Sequence, residues 1–158
     1  MGGGHETMRD FDFLIGNWDV RHRKLRRRLA RDTRWDEFGG TMRARPILAG
    51  HGNFDENVID LPDGSYQACT LRLHDQTTDR WTIHWIDGRD PKLDPPMTGS
   101  FAGGTGTFHG DDNFEGRPIR VRFLWTPPGD AGPRWEQAFS DDGGANWETN
   151  WIMDFVKT

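Results

Sequence analysis

Trp135-Glu136-Gln137-Ala138-Phe139-Ser140-Asp141-Asp142-Gly143-Gly144-Ala145-Asn146-Trp147-Glu148-Thr149-Asn150-Trp151-Ile152-Met153-Asp154-Phe155 is two alternating runs joined by a turn. Successive strand side chains point to opposite faces, so Trp135, Gln137 and Phe139 share one face. By the same rule Trp147, Thr149, Trp151, Met153 and Phe155 share one face of the second run. Between the runs, Asp supplies turn acceptors and Gly tolerates positive φ. The segment therefore reads as a β-hairpin. Its short turn makes the two strands antiparallel neighbours.

The same rhythm extends outward along the chain. Ile119, Val121, Phe123 and Trp125 alternate, as do Trp81, Ile83 and Trp85. Tyr66 to Leu73 and Phe54 to Leu61 read as strands split by the turn Pro62-Asp63-Gly64. Trp18, Val20, His22 and Lys24 share a face near the start, and a further strand runs from about Arg34 to Pro46. Thr98 to Phe101 and Thr105 to Phe108 read as short strands around Gly103-Gly104. Gly110 to Gly116 reads as an exposed acidic turn, and Asp87 to Pro96 as a loop long enough to act as a lid. About nine or ten short strands with turn signals between them predict an all-β, antiparallel up-and-down barrel, whose closure removes free edges. Phe11 to Ile15 reads as a short N-terminal helical turn.

Composition bounds the rest. At 158 residues, with residues 1–8 read as a flexible leader, residues 9–158 form a single domain. Eight tryptophans compensate for a low hydrophobic share of 34%, so the core is built from a few large side chains. Cys69 is the only cysteine and excludes an internal disulfide. No apolar run approaches the roughly 20 residues of a membrane span. The expected location is the cytoplasm. Residues 21–34 hold eight Lys/Arg and one Asp against a net charge of −5 for the chain. That run lacks the stacking aromatics of single-strand binders, which disfavours nucleic acid as a partner. It reads instead as a solvated hairpin or a subunit-facing strand, with a homodimer as one expected partner arrangement.

Phe13-Leu14-Ile15-Gly16-Asn17-Trp18-Asp19-Val20 resembles the opening of calycin barrels, the lipocalin-like superfamily, where a helical turn leads into Gly-x-Trp. With Trp81 to Asp87 and Trp135 to Phe155, the chain resembles a bacterial family of uncharacterised lipocalin-like proteins. That resemblance implies a barrel with Trp18 plugging one end, and small hydrophobic or amphipathic ligands. Haem is disfavoured, because haem-binding calycins carry a late His that the final strand lacks. Ser140 to Trp147 also matches the spacing of the Asp-box turn of sialidase propellers, with Asn146 where Thr is usual; there it stabilises a turn.

Face bookkeeping gives the candidate site. If the Trp-bearing faces point inward, the polar residues on them meet a ligand or each other. The ligand-binding candidates are Trp85, Trp125, Trp135, Trp151, His22, Gln137, Thr149 and Arg72. Arg120, Arg122, Glu136, Glu148 and Asp154 fall on the opposite faces, as exposed cross-strand pairs. The expected activity is binding of a small hydrophobic or aromatic molecule, with no cofactor and no metal, since the six His show no zinc spacing. The alternative is a cyclase or isomerase of natural-product type in the same cavity. It would use His22 as acid or base, with Lys24 or Arg72 as oxyanion partner.

Overall fold

Ten antiparallel strands close on themselves: each pairs with its neighbours in sequence, and the first pairs with the last. The computed structural model describes residues 9–129 and 131–158. The leader expected over residues 1–8 lies outside them. The strands are β1 (Gly16–Leu25), β2 (Trp35–Ile47), β3 (Gly52–Leu61), β4 (Gly64–Asp75) and β5 (Arg80–Asp87). After them come β6 (Met97–Ala102), β7 (Thr105–Phe114), β8 (Arg117–Gly129), β9 (Gly132–Ser140) and β10 (Glu148–Lys157). The expected up-and-down barrel is thus the observed architecture, and Trp18↔Lys157 to Lys24↔Trp151 pairing joins its two ends. No described helix is long and apolar enough to cross a membrane.

One end of the barrel is sealed. The 3-10 turn Asp12–Leu14 crosses it and buries Phe11 and Leu14. Phe11 is the centre of this plug: its ring lies 4.9 Å from those of both Trp81 and Phe101, and 6.0 Å from Trp125. Edge-to-face contacts like these suit the ring quadrupole. Trp18 sits beside the plug and ties it to β1, donating its indole N–H to the Leu14 carbonyl at 2.8 Å. At the same end, Trp81 donates to Asp10 at 3.1 Å.

Two features, the first and the third, depart from the sequence expectation, and the second adds to it. First, Gly110 to Asn113 continue β7; the turn is confined to Glu115-Gly116, with Glu115 at φ 51° and Gly116 at φ 77°. Second, β6 pairs β5 only through Trp81↔Gly99, Thr82↔Thr98 and Ile83↔Met97. Beyond Ile83 the loop after β5 folds back instead, through an Ile86↔Leu93 bridge and an Asp94 N–H to Trp85 carbonyl bond of 3.0 Å. Third, β10 carries a bulge between Thr149 and Trp151. A bulge inserts one residue and exchanges the faces on either side of it.

The turn between β9 and β10 is built as its residues demand. Asp142 accepts hydrogen bonds from the Ser140 hydroxyl at 2.7 Å and the Asn146 amide N–H at 2.9 Å. These donors hold its carboxyl down at about 2. Gly143 and Gly144 take φ of 73° and 96°.

Candidate functional site

The unsealed end leads into a cavity of about 290 Å³. Its aromatic wall comes from inward positions of four strands: Trp85 on β5, Phe123 and Trp125 on β8, Trp135 on β9 and Trp151 on β10. Trp151 meets Trp135 edge-on at 5.3 Å and Trp85 edge-on at 6.0 Å. Trp125 lies deepest, against Phe155 at 5.5 Å. Trp85, Trp125, Trp135, Trp151, Gln137 and Arg72 are thus brought together on one surface.

Two other candidates lie elsewhere. His22 is buried behind Trp151 and is not on the wall. Its Nδ1 accepts the Trp151 indole N–H at 3.1 Å, and its ring stacks on Phe38 at 4.8 Å. Burial, with Lys24 nearby, pushes its pKa down to about 4, so the ring is neutral near pH 7. Thr149 is turned to the outer face. The bulge sets it opposite Ala138, while Trp151 pairs with the inward Gln137. Asn150 takes the buried space and accepts a 2.9 Å hydrogen bond from the Gln137 amide. The same bulge brings Glu148 opposite the inward Phe139 rather than among the exposed cross-strand pairs. Of the other expected outer charges, Asp154 pairs with Arg134 at 2.7 Å and Arg120 with Asp111 at 3.6 Å, while Arg122 instead lies over the Trp147 ring at 4.7 Å and Glu136 forms no ion pair among the described residues.

The polar floor of the cavity comes from β3 and β4. Asn53, Asp55 and Asn57 alternate inward on β3, facing Thr70 and Arg72 on β4. Arg72 donates to Asn53 Oδ1 at 2.8 Å, and its Nη2 lies 2.7 Å from Asp55 Oδ2, a charge contact without hydrogen-bond alignment. Asn57 completes the group by donating to the other Asp55 oxygen at 2.8 Å. The Arg72 guanidinium also lies 5.2 Å from the Phe11 ring and 5.5 Å from Trp125. A buried charge must be paired, and here each is. Sequence reasoning found Arg72 but missed its β3 partners. The signal was present in the alternation of Asn53, Asp55, Asn57 and Ile59 against Phe54, Glu56 and Val58.

The mouth is covered from one side by the arginine-rich segment between β1 and β2. Residues 26–34 form the loop of the β1–β2 hairpin, closed by an Arg26 N–H to Arg34 carbonyl bond of 2.9 Å, and the loop packs back onto the barrel rather than standing free in solvent. Leu29, at φ 53°, packs on the hydrophobic core, and its N–H donates to Glu148 Oε1 at 2.9 Å. Arg28 turns inward over the Phe114 ring at 4.8 Å. Lys24, one strand-step before the segment, lies with Nζ 4.2 Å from the Trp151 ring centre. Desolvation, then the Arg28 and Arg89 charges, push its pKa down to about 8. Across the mouth, Asp94 has its carboxyl pushed up by burial and by neighbouring Asp112 and Asp87. The site is therefore an aromatic sleeve with a neutralised polar floor and ionisable groups at its rim.

Comparison with known proteins finds no family model that matches the chain and no similar curated protein.

Proposed function

We propose that this protein binds a small aromatic or hydrophobic molecule inside the barrel. The observation that carries the reading is the cavity itself. Roughly 300 Å³ is the lower bound of ordinary ligand pockets, and the 290 Å³ here fits a compact ligand of one or two rings. Apolar walls with a few convergent polar groups are the usual composition of such sites. The paired floor suits a neutral apolar end, because an inserted group need not satisfy a lone charge there. The ligand's polar end then faces the rim, near Lys24, Arg28 and Asp94. The resemblance of Phe13 to Val20 to calycin openings is in keeping with this activity. A lone Cys69 and the lack of any disulfide accord with a cytoplasmic setting.

Titration with the neutral fluorophore N-phenyl-1-naphthylamine tests the proposal. Enhanced probe emission with energy transfer from the wall tryptophans, saturating at one probe per chain, is the expected result. No saturable binding would overturn it.

A further inference from the structure

The chain has three lysines, and they are not equivalent. Lys92 is exposed and lies 3.2 Å from Asp90. Lys157 donates to the Ile15 carbonyl at 3.1 Å and covers the Trp18 ring. Lys24 lines the aromatic cavity with its Nζ against Trp151, and no carboxylate among the described residues is within ion-pair distance of it. We propose that Lys24 is a nucleophilic amine that captures small aromatic aldehydes as an imine inside the barrel. The inference rests on the ligand-binding reading of the cavity and names one chemical class for its ligand.

The surroundings of Lys24 favour the uncharged amine. Its cross-strand neighbour Asp36 is engaged by Arg26 at 2.9 Å. Asp87, at the end of β5, is engaged by Arg89 at 2.8 Å. The Arg28 guanidinium enters the cavity from the covering segment, and Tyr66 of β4 lies under Arg89 at 3.6 Å. Asp94, Asp111 and Asp112 line the far side of the mouth, and Glu148 of β10 is taken by the Leu29 N–H. The groups nearest Lys24 are therefore two cations and an already paired carboxylate. Apolar desolvation and a neighbouring cation are the two means by which proteins make a lysine nucleophilic near neutral pH. Both act here, in agreement with a pKa near 8.

The chemistry balances without an oxidant or cofactor. The Nζ lone pair forms a C–N bond to the carbonyl carbon, and the carbonyl oxygen takes a proton. The carbinolamine hydroxyl takes a proton from solvent and leaves as water, and the resulting iminium nitrogen returns one proton to solvent. Amine and aldehyde become imine and water. Trp85, Trp135 and Trp151 surround the space that the aldehyde's ring would fill.

The test is reductive trapping of the whole protein with 2-naphthaldehyde and cyanoborohydride between pH 6 and 10, followed by peptide mapping. Expected is labelling of Lys24 at least about tenfold faster than Lys92 at pH 7.5, with a rate inflection near pH 8, and protection of Lys24 by N-phenyl-1-naphthylamine. Labelling of Lys24 no faster than Lys92 overturns the inference. If the fluorophore nonetheless binds, the cavity reading survives alone. Fast labelling that the bound fluorophore does not slow also overturns capture inside the barrel. Failure of the fluorophore to bind at all counts against the cavity reading and removes the premise of the inference.

Discussion

The indole N–H of Trp151 points away from the cavity and into His22, 3.1 Å from Nδ1. The bond fixes the wall from behind and fixes the tautomer of His22, with the ring proton on Nε2. A charged imidazolium could not accept it.

Acid should therefore loosen the wall. His22 is lowered to about 4 in the fold against an ordinary 6.5 in the unfolded chain. The unfolded state binds the proton first, so stability is complete above pH 6.5 and falls as pH drops toward 4. The expected loss by pH 4 is on the order of 3 kcal/mol. Urea midpoints at pH 7.5 and 4.5 should separate strongly in the native protein and much less in His22→Phe. An equal drop in both would show that His22 is not the group responsible.

The Asp55–Arg72 pair should be costly to break from one side. Arg72→Met leaves a buried carboxylate, a change worth about 3–5 kcal/mol. The double variant Asp55→Leu, Arg72→Met should recover much of that loss, since a well-packed apolar pair avoids the desolvation cost. Chemical denaturation of the three proteins measures it. A double variant less stable than Arg72→Met alone would contradict the account.

Two wall tryptophans should separate stability from binding. Trp125 is almost fully buried against Phe11, Phe13 and Phe155. Trp125→Ala should cost about 3–5 kcal/mol. Trp85 is half-buried near the mouth, so Trp85→Ala should cost less and chiefly weaken fluorophore binding. Thermal unfolding and probe titration of both variants give the comparison. Equal stability losses would argue that Trp85 is a core residue.

The cover over the mouth hangs on Glu148. Glu148→Ala removes the acceptor for the Leu29 N–H. Hydrogen–deuterium exchange over residues 26–34 should accelerate, and the fluorophore should associate faster, while exchange in β3 and β4 stays as it was. Unchanged exchange at Leu29 would mean that its packing on the core alone holds the segment.

The barrel was legible because period-2 alternation survives in almost every strand and the turns announce themselves. All four wall tryptophans followed from the same rule, and so did Gln137 and Arg72. What was not legible has local causes. Thr149 left the inner face because of a single extra residue near Asn150, and no side-chain type marks a bulge. His22 has the right face but lies behind a larger neighbour, which depends on depth along the strand rather than on alternation. Asn53, Asp55 and Asn57 form an inward row without a single aromatic, so the aromatic alternation that marks the other walls is absent from β3. The fold of the arginine-rich segment turns on Leu29 and Arg28, whose partners are more than 80 residues away in sequence.

The short pairing of β5 with β6 bears on how anything enters. Elsewhere the staves of the barrel are bonded along most of their length, but past Ile83 one stave is held by a folded-back loop carrying Pro91, Pro95 and Pro96. Separating that loop from Trp85 and Ile86 breaks few backbone bonds and leaves the rest of the ladder intact. Local openings follow the path that breaks least. For a ligand held as proposed, a breathing of the wall past Trp85 is then a second route beside the covered mouth, and its rate is set by a handful of hydrogen bonds rather than by the stability of the whole barrel.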